Sequence, residues 1–250
     1  MIPADLLLLN IGSLGPFRAF ADSDFMGQCI VIAQIVMSIC SWGMMLSKKA
    51  KLAEVSARSA QFVDAFVRTN DPLEIFVENA HQLQTLTDTP IGQIYANSCE
   101  RLAALVPVEQ RQKMHLDPTY RLSLTRKQMD LVESVCVHTI EEACVRLNGS
   151  EMTWIAIFTS SAPLMGLFGT VWGVMYAFQA MAASGSADIA QLAPGISSAL
   201  LTTVVGLVVA IPSTIGYNLL QSKLEAVSVD LEGFGEDLLG KLRLHYLEDR

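Results

Sequence analysis

The sequence predicts an all-α integral membrane protein with three transmembrane helices and long cytoplasmic helical extensions. Of the 250 residues, 51% are hydrophobic and only 17% are charged, which is less charge than a soluble domain of this size uses to cover its surface. Three runs carry no charged side chain, at residues 25–46, 152–187 and 189–222. Each run is long enough for a helix to cross the ~30 Å hydrocarbon core of a bilayer.

The spans and the segments between them define the predicted domain organisation. The second and third runs exceed the length that a bilayer requires, so we expect both helices to continue beyond it. The short segment between them predicts an antiparallel hairpin. The expected segments are a periplasmic N-terminal segment at 1–24, transmembrane helix 1 at 25–46, a cytoplasmic helical domain at 47–151, transmembrane helix 2 at 152–183, a periplasmic turn at 184–191, transmembrane helix 3 at 192–222 and a cytoplasmic C-terminal helix at 223–250.

The distribution of lysine and arginine predicts the orientation of these helices. Twelve of the 17 basic residues lie between Lys48 and Arg146, four follow the third span, and only Arg18 precedes the first. Because basic residues are enriched on the cytoplasmic side, the N-terminus and the 184–191 turn are expected outside, and the 47–151 segment and the C-terminus in the cytoplasm. The amphipathic C-terminal stretch is expected to extend the third helix, with its apolar residues on one face. Those residues are Leu224, Val227, Leu231, Leu238 and Leu242.

Composition and motifs argue against several functional classes. The net charge of −8 disfavours a nucleic-acid partner, and the five cysteines show neither disulfide nor zinc spacing. The N-terminus lacks the features of a cleaved secretory signal. GxSxG, HExxH, paired intramembrane aspartates and a phosphate-binding glycine loop are also missing from the sequence. We therefore expect no enzyme, no metal site and no bound cofactor.

Small and hydroxyl-bearing residues recur at helical spacing in the second and third spans. Faces of this kind pack against another helix, because the small side chains let two backbones approach closely. The second-span series is Thr159, Pro163, Gly166, Thr170, Gly173 and Ala177, opposite Leu164, Phe168, Val171, Met175 and Phe178. The third-span series is Ala199, Thr203, Gly206, Ala210, Thr214 and Tyr217.

Two interpretations of the hydroxyl groups on these faces stay open. A threonine in a membrane helix commonly bonds a carbonyl of its own helix, which would make the stripes packing surfaces only. However, Thr170 and Thr203 lie near the middle of their spans, where facing hydroxyls could line an ion passage. The three runs contain no aspartate, glutamate, lysine, arginine or histidine, so an ion pathway would need a carboxylate from a partner protein.

Two stretches in the second and third spans resemble a known family. These stretches are "PLMGLFGTVWGVMYAF" at 163–178 and "APGISSALLTTVVGLVVAIPSTIGYN" at 193–218. They resemble the TolQ/ExbB family of energy-transducing proton-channel subunits, which is distantly related to the flagellar stator protein MotA. The resemblance extends to the order of the three spans, the large cytoplasmic segment and the short periplasmic turn. The chain length and the short N-terminal segment favour a TolQ-like protein over an ExbB-like one.

The resemblance implies a location, partners and a mechanism. It implies a multi-pass protein of the bacterial inner membrane that forms a homo-oligomer, expected to be a pentamer surrounded by membrane lipid. The central pore would hold the helices of a TolR/ExbD-like single-span protein that carries an intramembrane aspartate. Proton entry would drive movement that reaches a TolA/TonB-like protein. In the Tol-Pal case this work supports outer-membrane constriction during division.

The resemblance also assigns residues to the pathway. It places the pore threonines of the family at Thr170 and Thr203, with Ser198 and Thr202 beside the pathway. The expected pore-packing residues are Gly166, Gly169, Gly173, Pro194, Gly206 and Pro212.

This chain departs from the family at Ser198, where relatives commonly have glutamate near the pore mouth. The carboxylate could be dispensable here, Thr202 and ordered water could replace its contacts, or the ion preference could differ.

Several functions therefore compete at this point. The leading hypothesis is a subunit that converts proton-motive force into mechanical work in a Tol-Pal-like system. The alternatives are an ExbB-type subunit that energises outer-membrane nutrient uptake, a sodium-driven stator, and a passive membrane scaffold. In the scaffold, Thr170 and Thr203 would serve packing alone.

Overall fold

The computed structural model describes residues 16–21, 23–78, 88–106, 123–185 and 189–247. These residues form six helices and no strand, apart from one isolated bridge between Leu124 and Leu247. The helices are α1 Pro16–Ala21, α2 Phe25–Arg68, α3 Glu74–Glu78, α4 Pro90–Leu105, α5 Arg126–Ser184 and α6 Ile189–Tyr246. Part of the expected N-terminal segment and residues 186–188 of the expected turn lie outside the described residues.

Three helices, α2, α5 and α6, are long and apolar enough to cross a membrane. They contain 44, 59 and 58 residues, respectively, so each exceeds the roughly 20 residues that span the hydrocarbon core. The predicted fold class is confirmed: the chain is an all-α integral membrane protein with three membrane helices that continue well beyond their apolar runs.

Contacts within the chain define two units. The membrane unit comprises Met1–Lys48 and Ser150–Leu220, and the extramembrane unit comprises Lys49–Gly149 and Gln221–Arg250. Helix α5 is interrupted at Gly149, whose φ of 60° and ψ of 168° are not helical. A side chain at that backbone geometry would be strained, whereas glycine adopts it readily. The expected continuation of the second membrane helix is therefore present, but it is interrupted at this residue.

The extramembrane unit has its own apolar core. The C-terminal part of α6 contributes the expected residues Val227, Leu231, Leu238 and Leu242 to this core, and the expected residue Leu224 is also buried. Phe66 and Phe234 pack edge to face with ring centroids 5.2 Å apart, a favourable aromatic geometry. The amphipathic prediction for this stretch is confirmed.

The C-terminal end of α2 is stabilised from α6. The ammonium group of Lys241 donates to the main-chain oxygens of Phe66 and Thr69 at 2.9 and 3.3 Å, and lies 4.4 Å from the centre of the Phe66 ring. A cation at this position satisfies carbonyls that have no partner within the helix and interacts favourably with the helix dipole.

Candidate ion pathway

Glycine residues bring the second and third spans into direct backbone contact. A Cβ atom added at Gly166 would lie 2.9 Å from Cα of Thr203, and one at Gly173 would lie 2.7 Å from Cβ of Ala199. A Cβ at Gly169 would lie 2.3 Å from the hydroxyl oxygen of Thr202. These distances are too short for any side chain larger than hydrogen, so the glycines permit the close approach.

The structure places the hydroxyls of the second and third spans in different environments. Thr202 is buried and its hydroxyl lies within hydrogen-bond distance of the main-chain oxygens of Ala199, at 2.7 Å, and Gly166, at 3.1 Å. Thr203 is half-buried and donates to the Gly166 oxygen at 2.8 Å. Thr170 is half-buried and donates to the Leu167 oxygen of its own helix at 2.7 Å. The Gly166 oxygen therefore accepts from Thr203 and also lies within hydrogen-bond distance of the Thr202 hydroxyl.

The buried face of the second span is rotated slightly from the expected stripe. Gly166, Gly173 and Ala177 are buried as expected, whereas Thr159, Pro163 and Thr170 are half-buried. Ala162 and Gly169 complete the buried face. The residues expected on the opposite side are exposed in the single chain, namely Leu164, Phe168, Val171, Met175 and Phe178.

The third span shows a comparable distribution. Ala199, Gly206 and Ala210 are buried as expected, whereas Thr203 and Tyr217 are half-buried and Thr214 is exposed. Of the expected packing prolines, Pro194 is exposed and Pro212 is half-buried. Both lie within α6, a position that membrane helices tolerate when neighbouring groups satisfy the freed carbonyls.

Ser198 contacts the chain just before the first span. Its hydroxyl oxygen lies 2.5 Å from that of Ser23, and both residues are buried. The next residue, Asp24, accepts a 2.8 Å hydrogen bond from the indole nitrogen of Trp172 and a 3.1 Å bond from the Gly27 amide. Ser198 therefore makes a neutral contact with Ser23, and the carboxylate of Asp24 is on the residue that follows Ser23.

Gln34 connects all three spans at their centre. Its side chain is fully buried and its amide nitrogen donates to the main-chain oxygens of Ala162 and Thr202, both at 3.2 Å. Two donated bonds occupy both amide hydrogens. Sequence analysis missed this residue because a single amide does not interrupt an apolar run, although an amide within a membrane span is itself a signal of helix–helix contact.

A partly buried ion pair lies at the end of the membrane unit that is distant from Ser23. The ammonium group of Lys48 lies 2.8 Å from the carboxylate of Glu151, and the Lys48 side chain is only 6% exposed. These residues flank the first and second apolar runs, and sequence analysis did not predict that they pair. Their side chains join α2 to α5 where the two runs end.

Residues 107–233 match the MotA/TolQ/ExbB proton channel family. This match covers about half of the chain and includes all of the predicted second and third transmembrane helices. The chain belongs to this family. The resemblance stated from "GLFGTVWG" and "APGISSAL" is therefore confirmed, and the chain is a membrane protein of the MotA/TolQ/ExbB type.

Individual members of the MotA/TolQ/ExbB family are similar over different lengths. The Tol-Pal system protein TolQ of Haemophilus influenzae is 26% identical over 215 residues, which cover 86% of this chain and 88% of that protein. TolQ of Pseudomonas aeruginosa is 27% identical over 198 residues, 79% of each chain. The biopolymer transport protein ExbB of Neisseria gonorrhoeae is 41% identical over 87 residues, 35% of this chain and 40% of that protein.

Proposed function

We propose that this chain is a proton-channel subunit of the bacterial inner membrane that converts proton-motive force into mechanical work on the cell envelope. The observation that carries the proposal is the family match over 107–233, which includes both Thr170 and Thr203. The proposed topology has the N-terminus in the periplasm and the C-terminus in the cytoplasm, in accord with the positive-inside rule. The chain acts as a channel subunit without enzymatic chemistry of its own.

The proposed assembly is a homo-oligomer, a pentamer by family resemblance, around the helices of a TolR/ExbD-like protein. The need for this partner follows from the charge-free runs 25–46, 152–187 and 189–222. Proton movement at membrane depth requires a titrating group, and the intramembrane aspartate of the partner would supply it. One elementary charge that crosses 100 mV releases about 2.3 kcal/mol, so a few protons suffice to break several noncovalent contacts.

The proposed pathway residues are Thr170, Thr203, Thr202 and Ser198. Thr170 and Thr203 are half-buried in the single chain, so parts of both side chains stay available to a neighbouring copy or to the partner helix. Their oxygens also keep acceptor capacity beyond the bonds that they donate. Thr202 and Ser198 are buried and would act by holding the helices in place beside the pathway.

Substitution of each threonine by valine tests the pathway against a passive scaffold. Thr170→Val and Thr203→Val keep the side-chain shape and remove the hydroxyl, so a proton pathway predicts loss of envelope function in both. Thr203→Val also loses the bond to Gly166, so its loss of function supports the pathway only together with normal copurification with the TolR/ExbD-like partner and the same result for Thr170→Val, whose hydroxyl bonds its own helix. Thr214→Val is the matched control, because the Thr214 hydroxyl is on an exposed residue and donates to Ala210 of its own helix. Normal envelope function in both valine variants would contradict the pathway and favour the scaffold.

The Tol-Pal role is proposed over the ExbB role because the match spans 88% of TolQ of Haemophilus influenzae at 26% identity, against 82% of ExbB of Salmonella typhimurium at 25% identity. A TolA-like protein would then receive the work during outer-membrane constriction. Deletion of the gene should cause cell chaining and detergent sensitivity without a defect in uptake of outer-membrane nutrients. A nutrient-uptake defect alone would assign the chain to the ExbB role. Loss of function on sodium removal, with resistance to a proton uncoupler, would instead indicate a sodium-driven stator.

A further inference from the structure

Three buried hydroxyls in the membrane unit depart from the usual behaviour of serine and threonine in membrane helices. Ser160, Thr170 and Thr214 each donate to a carbonyl of their own helix, as such residues commonly do. Among the described residues, no hydrogen-bond partner reaches the hydroxyls of Ser41, Thr159 and Ser213 or the side-chain oxygen of Gln34. All four atoms are enclosed, so each would lose its solvation without compensation.

The four unpaired oxygens lie on the mutually packed faces of the three spans. Ser41 lies seven residues after Gln34, and Ser213 lies seven residues after Gly206, which Gln34 contacts. Thr159 lies three residues before Ala162, whose carbonyl accepts from Gln34. Spacings of three and seven keep residues on one helix face, so all four oxygens point into the same three-helix interior.

The contacts between the helices also fix the level of each hydroxyl along the spans. Met45 packs against Gly216, with its sulfur 2.5 Å from an added Cβ. Ser41 lies one turn before Met45, and Ser213 lies three residues before Gly216, so the two serines share one level. Thr159 lies between that level and Gln34. The unpaired oxygens therefore lie between the Gln34 bonds and the Lys48–Glu151 pair, over about 10 Å of helix length.

We propose that ordered water binds between Gln34, Thr159, Ser41 and Ser213, inside each single copy of the chain. A buried water commonly makes about three hydrogen bonds to otherwise unpaired polar groups, and these residues offer hydroxyl donors and acceptors along one column. A length of about 10 Å accommodates roughly two or three waters in hydrogen-bond contact. This site lies between the helices of one chain, and it stands independently of the proposed pathway between copies.

The sign of the stability change in serine variants tests this proposal. If water pairs the hydroxyls, Ser41→Ala and Ser213→Ala each remove hydrogen bonds and lower the melting temperature of the purified oligomer by a few degrees. The double variant should lose less than the sum, because the two residues share a water. Ser160→Ala is the control, as that hydroxyl is exposed and bonds its own helix. An unchanged or raised melting temperature for Ser41→Ala and Ser213→Ala would overturn the proposal, because removal of a buried hydroxyl without a hydrogen-bond partner does not destabilise the folded protein.

Direct observation provides a second, independent test. Electron cryo-microscopy of the oligomer at about 2 Å should show density between Ser41, Ser213 and Thr159 that disappears in the Ser41→Ala/Ser213→Ala double variant. A map of that quality without this density would overturn the proposal. A wild-type melting temperature that rises specifically in sodium chloride relative to potassium chloride would also overturn it, because the bound species would then be a cation.

Discussion

The hydroxyl of Thr203 donates a 2.8 Å hydrogen bond to the main-chain oxygen of Gly166, and a Cβ atom added at Gly166 would lie 2.9 Å from Cα of Thr203. Gly166 and Thr203 therefore form both a close backbone contact and a hydrogen bond between the second and third spans. A single hydroxyl here both stabilises the packing of the membrane unit and lies at the proposed pathway. The packing of these helices can be tested separately from proton movement.

Gly206→Ala is predicted to destabilise the membrane unit. The new methyl group would lie 2.8 Å from the Ala162 oxygen and 2.8 Å from the Gln34 side-chain nitrogen, so it would separate the helices and strain the Gln34 bonds. Overpacking of this kind costs about 1–3 kcal/mol. Thermal unfolding of the purified protein measures the loss. Gly43→Ala is the control, since nothing lies within 4 Å of an added Cβ there; equal melting temperatures for the two variants would disprove the packing argument.

The Lys48–Glu151 pair predicts an asymmetric response to charge removal. Glu151→Gln leaves the buried ammonium of Lys48 without its counter-charge and should destabilise the protein by about 1–3 kcal/mol, a value reduced because Glu151 is about one-third exposed. Glu54→Gln, which disrupts the exposed Arg58–Glu54 pair, should cost less than about 0.5 kcal/mol. Thermal unfolding compares the two variants.

Exchange of the two charges is a second test of the Lys48–Glu151 pair. Lys48→Glu alone would place two carboxylates together, whereas Lys48→Glu combined with Glu151→Lys restores opposite charges. The double variant should therefore recover part of the stability that the single variant loses. A double variant no more stable than Lys48→Glu alone would mean that the pair contributes little.

The extramembrane unit is predicted to lose stability at alkaline pH. Burial raises the pKa of the Cys99 thiol from 9.0 to about 12, so above pH 9 the unfolded chain releases a proton that the folded chain retains. Stability from this group is full below pH 9 and decreases as the pH rises towards 12, by up to about 1.4 kcal/mol per pH unit. Cys99→Ala should reduce the slope of unfolding free energy against pH.

Leu102→Ala provides the control for that measurement. Leu102 is fully buried in the same helix, α4, so its truncation should lower stability at every pH and leave the slope unchanged. Some alkaline dependence should persist in Cys99→Ala, because burial also raises the pKa of the Tyr95 phenol. Identical slopes in the wild type and in Cys99→Ala would show that the thiol does not contribute.

The sequence predicted the membrane helices well because each prediction rests on a long run of residues and not on a single residue. Each charge-free run of 22 or more residues can satisfy its backbone in lipid only as a helix. The small-residue stripe was predicted less accurately. Gly166, Gly173 and Ala177 fit both the expected row through Thr170 and the observed row through Gly169, since neighbouring residues are about 100° apart on a helix. Periodicity among uniformly small residues cannot select the centre of the buried face.

Contacts between distant segments lay beyond sequence analysis. The Ser23–Ser198 contact joins residues 175 positions apart, and the Gln34 bonds to Ala162 and Thr202 depend on the relative height of three helices. Local patterns carry no information about that height. Only the combination of an amide in an apolar run with glycine-rich neighbouring spans could have suggested that Gln34 mediates helix contact.

The contacts of Ser23 and Asp24 limit where this protein can be truncated or fused to a tag. The chain immediately before the first span is attached to the second span through Trp172 and to the third through Ser198. Trimming up to Phe25 would leave the apolar run whole and still release this attachment. Affinity tags and fluorescent fusions at this end of the protein should therefore leave Ser23 and Asp24 in place.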